Sequence, residues 1–311
     1  MSTTGSIRLR DPGGAEALID PRCGGAVRRL RLCSATDRRP VEVLWSQSES
    51  ESDPCHTTWF DGRMLMPFAD RIPAGRYRWD GREYCLPIND SQHGDAIHGF
   101  LYRQSMSRVD EQTVPSGRSL HLSTVLPPRD GYPWSLRVEL SYTLMFDRFS
   151  LRFRTWNLSA SPAPFCSGWH PYFLVPGAPD STIDSAVLQV VADSYLEADA
   201  DLRLSGATPP VAGSPYDFRV ARPIGATELD IALTLPDPER TAIVLRGHQR
   251  AIAIHMGGAW SKTQLFIPPG RTAIAIEPIS APGEAFTTPS LGLITIQPGA
   301  MVTGWARVTL R

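Results

Sequence analysis

Leu136-Arg137-Val138-Glu139-Leu140-Ser141-Tyr142-Thr143-Leu144-Met145-Phe146 carries the period that decides the fold. Leu136, Val138, Leu140, Tyr142, Leu144 and Phe146 alternate with Arg137, Glu139, Ser141 and Thr143, the pattern of a strand with one face against a core. A short turn at Asp147-Arg148 leads to Leu151-Arg152-Phe153-Arg154-Thr155, so the two segments are expected to form a hairpin.

Working outward, shorter strands are expected at Ser6–Arg10, Ala26–Leu32, Val41–Trp45, Leu120–Val125, Ala242–Arg246, Ala251–His255, Gln264–Ile267, Thr272–Glu277, Leu293–Gln297 and Met301–Leu310. Convincing amphipathic helices are missing. The 28 prolines and 25 glycines fall mostly between strand candidates, where turns need them. The fold class is therefore all-β and antiparallel, a sandwich or barrel-like architecture with few short helices. No repeat of fixed period and no interdomain linker is visible, so residues 1–311 are expected to form a single domain. The cluster Ser46–Ser52 reads as a solvated loop.

A formal net charge of −1 argues against any global electrostatic attraction to nucleic acid or an anionic membrane. No apolar run approaches the ~18 residues of a spanning helix. Lys262 is the one lysine, and arginine supplies the rest of the positive charge. Five scattered cysteines without a CxxC pair fit neither a disulfide framework nor a zinc site, so reduced thiols are expected. With no apolar run near Met1, a cytoplasmic location follows as an expectation.

Two stretches could carry chemistry. In Gly168-Trp169-His170-Pro171-Tyr172-Phe173 a histidine stands among aromatic residues and before a proline, which biases it toward extended geometry. Such an imidazole is either a core group satisfied by a backbone carbonyl or a proton carrier near neutral pH; the stretch leaves both open. In Thr272-Ala273-Ile274-Ala275-Ile276-Glu277, strand parity puts Thr272, Ile274 and Ile276 on one face and Ala273, Ala275 and Glu277 on the other. Two alanines beside the glutamate leave room for something other than protein, although a strand-ending surface glutamate reads equally simply.

His93 and His98 are each followed by glycine, which allows close backbone approach to a ligand. Their odd spacing sends them to opposite strand faces, which is poor for a shared metal. Arg71 stands between apolar neighbours, either paired or presented into a cleft. His248 and His255 read as structural, and Asp230 is unremarkable alone. GxGxxG, P-loop, GxSxG and HExxH motifs are absent. The eight tryptophans include possible stacking surfaces for sugars, though most should be core.

Taken in order, these stretches resemble the aldose 1-epimerase (galactose mutarotase) family over most of the chain. The resemblance rests on Arg71-Ile72-Pro73-Ala74-Gly75-Arg76-Tyr77 with Pro87-Ile88-Asn89, on Ile97-His98-Gly99-Phe100, and on Tyr142-Thr143-Leu144 through Trp156-Asn157-Leu158-Ser159 to His170-Pro171-Tyr172-Phe173. Val211–Arg219 and Ile224-Gly225, then Leu229-Asp230 and Glu277-Pro278, complete it.

The resemblance implies a large antiparallel β-supersandwich, a monomer or homodimer, that interconverts the α and β anomers of a free monosaccharide. It needs no metal or organic cofactor. His170 would be the general acid at the ring oxygen and Glu277 the general base at the C1 hydroxyl, on opposite sides of those atoms and with pKa values near neutrality. Arg71, Asn89, His98 and Asp230 would bind hydroxyls. Leu174 stands where many members place asparagine, and Phe100–Met106 lacks a tryptophan common after the His-Gly element; both departures bear on the choice of sugar. The alternatives are a hexose-6-phosphate 1-epimerase and a catalytically silent sugar-binding protein on the same scaffold. A glycosidase fits less well, since those enzymes usually need a pair of carboxylates.

Overall fold

Leu136–Met145 pairs with Gly117–Leu126 on one side and with Arg148–Asn157 on the other, so the expected hairpin is present. From Arg148–Asn157 the sheet runs through Met301–Leu310, Ala251–Gly258, Ile243–Arg246 and Val187–Gln189 to Arg222–Pro223, with Ser107–Val114 at the far edge, nine strands in all. Every pairing is antiparallel. Leu136, Val138, Leu140, Tyr142 and Leu144 are all fully buried, as their alternation requires. The computed structural model describes residues 5–34, 38–47, 55, 58–114, 117–199 and 201–311.

A second, eight-stranded sheet packs across the same core. Its order is Ser194–Tyr195, Asp230–Thr234, Lys262–Phe266, Ile274–Ile279, Gly168–His170 and Arg63–Leu65, while Tyr172–Phe173 bridges Ile274–Ile279 and Leu44–Trp45. Aromatic contacts join the layers: Phe149 meets Trp169 at 6.3 Å between ring centroids, and Phe153 meets Trp260 at 5.2 Å. The helical segments described are 3-10 turns of three or four residues. This is an all-β antiparallel supersandwich.

Some expectations change. Val41–Trp45 divides into Pro40–Glu42 and Leu44–Trp45, because Val43 turns its amide to Leu30 O (2.9 Å). The Thr272–Glu277 strand begins at Ile274 and continues through Ile279. Of the Ser46–Ser52 loop, residues 48–52 lie outside the described residues. Strands such as Arg63–Leu65 and Gly168–His170 went unread because every residue in them is buried, which erases the period-2 signal.

The expectation of reduced thiols is corrected for two cysteines. Cys23 and Cys55 form a disulfide across a sequence separation of 32 residues, while Cys33, Cys85 and Cys166 are free. The folded chain brings the two Cα atoms to 5.2 Å, a proximity that spacing alone does not reveal. The cysteine pattern therefore gives no support to a reducing compartment. No helix among the described residues is long and apolar enough to cross a membrane.

One buried bond ties the central strand to the amino-terminal segment. The Tyr142 hydroxyl donates to the Gly25 carbonyl at 2.5 Å, with Tyr142 fully buried. Gly25 has φ +73°, and a Cβ there would stand 2.3 Å from the Tyr142 oxygen, so both backbone angle and space demand glycine. Tyr142→Phe leaves that carbonyl without its donor and is expected to cost about 1–2 kcal/mol. The check is a lowered guanidinium midpoint at unchanged slope; an unchanged midpoint would contradict it.

Candidate active site

Strand register brings the two key groups together. Gly168 opposes Ile279 and Tyr172 opposes Ala275, so the same register continued past Pro171 sets His170 opposite Glu277. Directly opposed residues of an antiparallel pair project to one face. Pro171 has no N–H for the ladder, yet its carbonyl accepts from the Ile276 amide at 3.3 Å, so the pairing survives the interruption. Trp169 and Phe173, of the other parity, are fully buried in the main core. On the Glu277 face the room expected beside Ala273 and Ala275 is taken by protein: both are fully buried, packed with Tyr172 and its aromatic neighbours Trp45, Trp59 and Phe266, and only Glu277 of the three lines the cleft.

His170 Nε2 lies 3.4 Å from Glu277 Oε1. The residues are 6% and 3% exposed, so each charged form loses most of its hydration. Burial pushes the His170 imidazole down to about 4. It lifts the Glu277 carboxyl well above its ordinary range, an effect reinforced by the nearby Asp70 and Asp230 carboxylates and opposed by Arg71. Burial thus disfavours the charged form of each group, and the imidazole lies below the neutrality expected of it. The two groups also stand side by side on one sheet face rather than on opposite sides of a ligand. His170 Nδ1 has no hydrogen-bond partner among the described residues.

The same face continues across the sheet. Glu277 opposes Gln264, and Asp230 opposes Phe266. Gln264 Nε2 donates to Asp230 Oδ1 at 2.7 Å. Loss of hydration raises the Asp230 carboxyl, while Arg71 acts against it.

The facing wall comes from Asp70, Arg71 and the segment they pair with, Ala96–Ile97. Asp70 and His98 both adopt left-handed backbone, at φ 59° and 62°. The Asp70 amide donates to His98 Nδ1 (3.0 Å), and the His98 amide donates to the Asp70 carbonyl (3.1 Å). With Nδ1 an acceptor, the proton of neutral His98 is on Nε2; burial, helped by His170 and Arg71, holds its pKa well below the ordinary value. Its ring stands perpendicular to that of His170 with centroids 5.3 Å apart. Arg71 Nε donates to Asp90 Oδ2 (2.9 Å), and Nη1 lies 3.4 Å from Asp70 Oδ1. The Asn89 amide clamps Ile97: Nδ2 donates to its carbonyl at 2.9 Å and to the Tyr102 hydroxyl at 3.2 Å, and Oδ1 accepts its amide at 2.7 Å.

His170, Glu277, Arg71, Asn89, His98 and Asp230 all line one cleft of about 1440 Å³. His93 lines it too, with Nδ1 on Asp90 Oδ2 (2.8 Å), whereas His248 and His255 do not. The glycine after His98 corrects its expected role: a Cβ on Gly99 would stand 2.2 Å from the Met66 carbonyl, so the close approach is to protein backbone, not to a ligand. Residue-level reading also missed Asp70, Gln264, Trp59, Phe60 and Phe266, all lining the cleft. Gln264 and Phe266 were within reach, since their strand was recognised and they share its parity; Asp70 gives no local signal. Among the described residues, no three His, Cys, Asp or Glu side chains are grouped to hold a metal ion.

Comparison with known proteins agrees with this architecture. The aldose 1-epimerase family model matches residues 5–309. Galactose mutarotase from Rattus norvegicus is 30% identical over 220 residues, covering 64% of this chain and 62% of the rat protein. The uncharacterized protein YihR of Escherichia coli is 28% identical over 249 residues, 76% of this chain and 75% of its own length. Among solved structures, a galactose mutarotase-like protein from Clostridium acetobutylicum superposes with a TM-score of 0.87 at 19% identity, covering 98% of this chain and 95% of that one. An aldose epimerase homologue from C. elegans gives 0.85 at 17% identity, covering 99% of each chain. A family model spanning nearly the whole chain and the sandwich fold together show that this chain belongs to the aldose 1-epimerase family.

Proposed function

We propose that the chain, acting as one catalytic unit, interconverts the α and β anomers of a free aldose. The observation that carries this reading is the His170–Glu277 contact at 3.4 Å, buried at the floor of the cleft. In the reacting arrangement Glu277 is a carboxylate and His170 an imidazolium. Glu277 takes the proton from the C1 hydroxyl as His170 Nε2 gives one to the ring oxygen; the C1–O5 bond breaks and the open-chain aldehyde forms. Rotation about C1–C2 presents the other face. Closure returns each proton along the reverse path. Every proton is accounted for within the pair, and no cofactor is invoked.

Burial assists the opening step. Proton transfer through the sugar converts an ionic pair to a neutral one, and a site that has excluded water favours the neutral state. The C1 hydroxyl, by donating to the carboxylate, offsets part of the cost of forming the ionic pair beforehand. Neutral His98, with its proton on Nε2, suits a hydroxyl oxygen as donor, and Arg71 and Asp230 offer a donor and an acceptor on either side. Asn89 supports the wall, since both amide hydrogens are already committed to Ile97 and Tyr102.

The cleft favours a neutral sugar over a phosphorylated one. Asp70, Asp90, Glu197, Asp199, Glu228, Asp230 and Glu277 line it against two arginines. Arg71 is engaged with Asp90 and Asp70, and Arg271 with Asp184. The placement of an ionisable pair at the cleft floor favours turnover over silent binding.

Three outcomes follow. Glu277→Gln and His170→Asn should each lower the polarimetric mutarotation rate by about 10²–10⁴-fold, and unchanged rates would refute the assigned roles. The pH profile of kcat/KM should fall on the acid side near pH 4, where His170 takes up a proton, and its alkaline limb should lie well above the ordinary carboxylate range, where Glu277 gives up its proton; an acid limb centred at about 6.5, the ordinary imidazole value, would contradict this. Glucose 6-phosphate should react with kcat/KM about tenfold or more below that of glucose, through like-charge repulsion, and a preference for the phosphate would overturn the neutral-sugar reading.

A further inference from the structure

The outer face of the nine-stranded sheet is opposite in charge to the cleft. On Leu136–Met145, Arg148–Asn157 and Met301–Leu310, the residues that alternate with the buried set point away from the core. Register lays them in rows: Ser141, Arg152 and Trp305 form one, and Thr143, Ser150 and Arg307 the next. Arg137, Arg148, Arg152, Arg154 and Arg307 stand on this face, and Glu139 is the one acid among the described residues of these three strands that shares it.

The two rows enclose a depression of about 350 Å³, lined by Ser141, Thr143, Ser150, Arg152, Trp305 and Arg307. Leu151 and Ala306, whose side chains are buried, lie beneath it. Arg152 opposes Trp305, and Arg307 follows two residues on, so the two arginines are diagonal neighbours at about 7–8 Å. The Arg307 guanidinium stands over the half-buried Trp305 ring at 5.5 Å. The Ser141 hydroxyl is engaged with His121 Nδ1 at 2.9 Å. Those of Thr143 and Ser150, both half-exposed, have no hydrogen-bond partner among the described residues.

Elsewhere in the molecule arginines are matched to carboxylates: Arg10 to Glu16, Arg29 and Arg31 to Glu42, Arg203 to Asp95 and Arg219 to Asp217. Arg148, Arg152, Arg154 and Arg307 have no carboxylate within ion-pair distance among the described residues. Like charges on neighbouring strands destabilise a sheet, so this set is kept at a cost. The resulting field reaches His255, directly opposite Arg307, whose imidazole is held below its ordinary value by burial and then by Arg307 and Arg311. Two acids stand nearby. Glu139 lies 3.7 Å from Arg137 Nε, and Glu239 accepts the Gly258 amide at 3.1 Å; neither lines the depression.

We propose that this depression binds a small organic phosphate, with Arg152 and Arg307 on the phosphate oxygens, the Thr143 and Ser150 hydroxyls donating to them, and the Trp305 ring against the organic body. A phosphate monoester carries a charge of about −1.5 to −2 at pH 7, which two guanidinium groups balance. Their planar forks match its oxygens, and an indole offers an apolar face to a ring. The volume falls near the lower end of the roughly 300–1,000 Å³ of ligand pockets, which suits a body of one ring. The depression shares no lining residue with the catalytic cleft, so the proposal is independent of the anomer chemistry.

The test is calorimetric titration of the full chain with inorganic phosphate and with phenyl phosphate at low ionic strength. Saturable binding is expected, with phenyl phosphate the tighter ligand. Arg152→Gln and Arg307→Gln, at exposed positions, should each weaken both ligands about tenfold or more. Trp305→Ala should remove the preference for phenyl phosphate, and Arg71→Ala, in the cleft, should change neither affinity. An unfolding midpoint for each variant shows that it is folded. Absence of saturable binding overturns the proposal, as do outer-face arginine variants that bind like the wild type. Loss of binding in Arg71→Ala also overturns it, by placing the phosphate in the cleft. Equal affinity for the two ligands in the wild type means a bare anion site and overturns the organic-phosphate assignment.

Discussion

Placing an imidazole and a carboxyl opposite each other on adjacent strands, with water excluded from both, is the constraint that organises this molecule. It is met by register: Gly168 against Ile279 and Tyr172 against Ala275 set His170 opposite Glu277 on that side, while Arg63 opposes it on the other. The register is in turn held by the alternate residues. Ile274, Ile276, Trp169 and Phe173 are fully buried in the main core, so a one-residue slip would turn an ionisable group inward and an apolar one toward the cleft. Pro171 interrupts the ladder between His170 and Tyr172 without ending the pairing, since its carbonyl still accepts from Ile276. The pair's electrostatics follow from the fold, because the same packing that fixes the register removes the solvent.

Much of this was legible in the sequence. The Leu136–Phe146 alternation gave the fold class because one face of that strand is buried and the other is not. The parity of Ala273, Ala275 and Glu277 was readable for the same reason. What was not readable is instructive. Gly168–His170 is buried on both faces and shows no period. The closeness of His170 and Glu277 depends on which strands pair, and local pattern does not encode that. The Cys23–Cys55 bridge and the contact of Gly99 with Met66 are likewise long-range facts. Asp70 looks like any polar residue before an arginine, and only its left-handed backbone and its bond to His98 set it apart.

The arginine-rich composition also takes on a different meaning in three dimensions. Arginine suits recognition of oxygen-rich ligands, yet each arginine around the cleft is engaged by the protein itself. Arg203 forks onto Asp95, Arg71 donates to Asp90, and Arg271 donates to Asp184 and two carbonyls. They act first as braces that hold loops against the sheet. The cleft they frame is lined by seven Asp and Glu side chains against two arginines.

The left-handed residues have a consequence for how this protein can change. Phe60 and Leu202 each hold a conformation that glycine adopts without penalty. A glycine at position 60 would nonetheless forfeit the edge contacts of the Phe60 ring with His98 and Tyr102, at 4.5 and 5.1 Å between centroids, and would widen the freedom of the unfolded chain. Relief of the backbone and support of the cavity wall therefore compete along this rim, and the bent angle persists because the side chain it carries is needed where it stands.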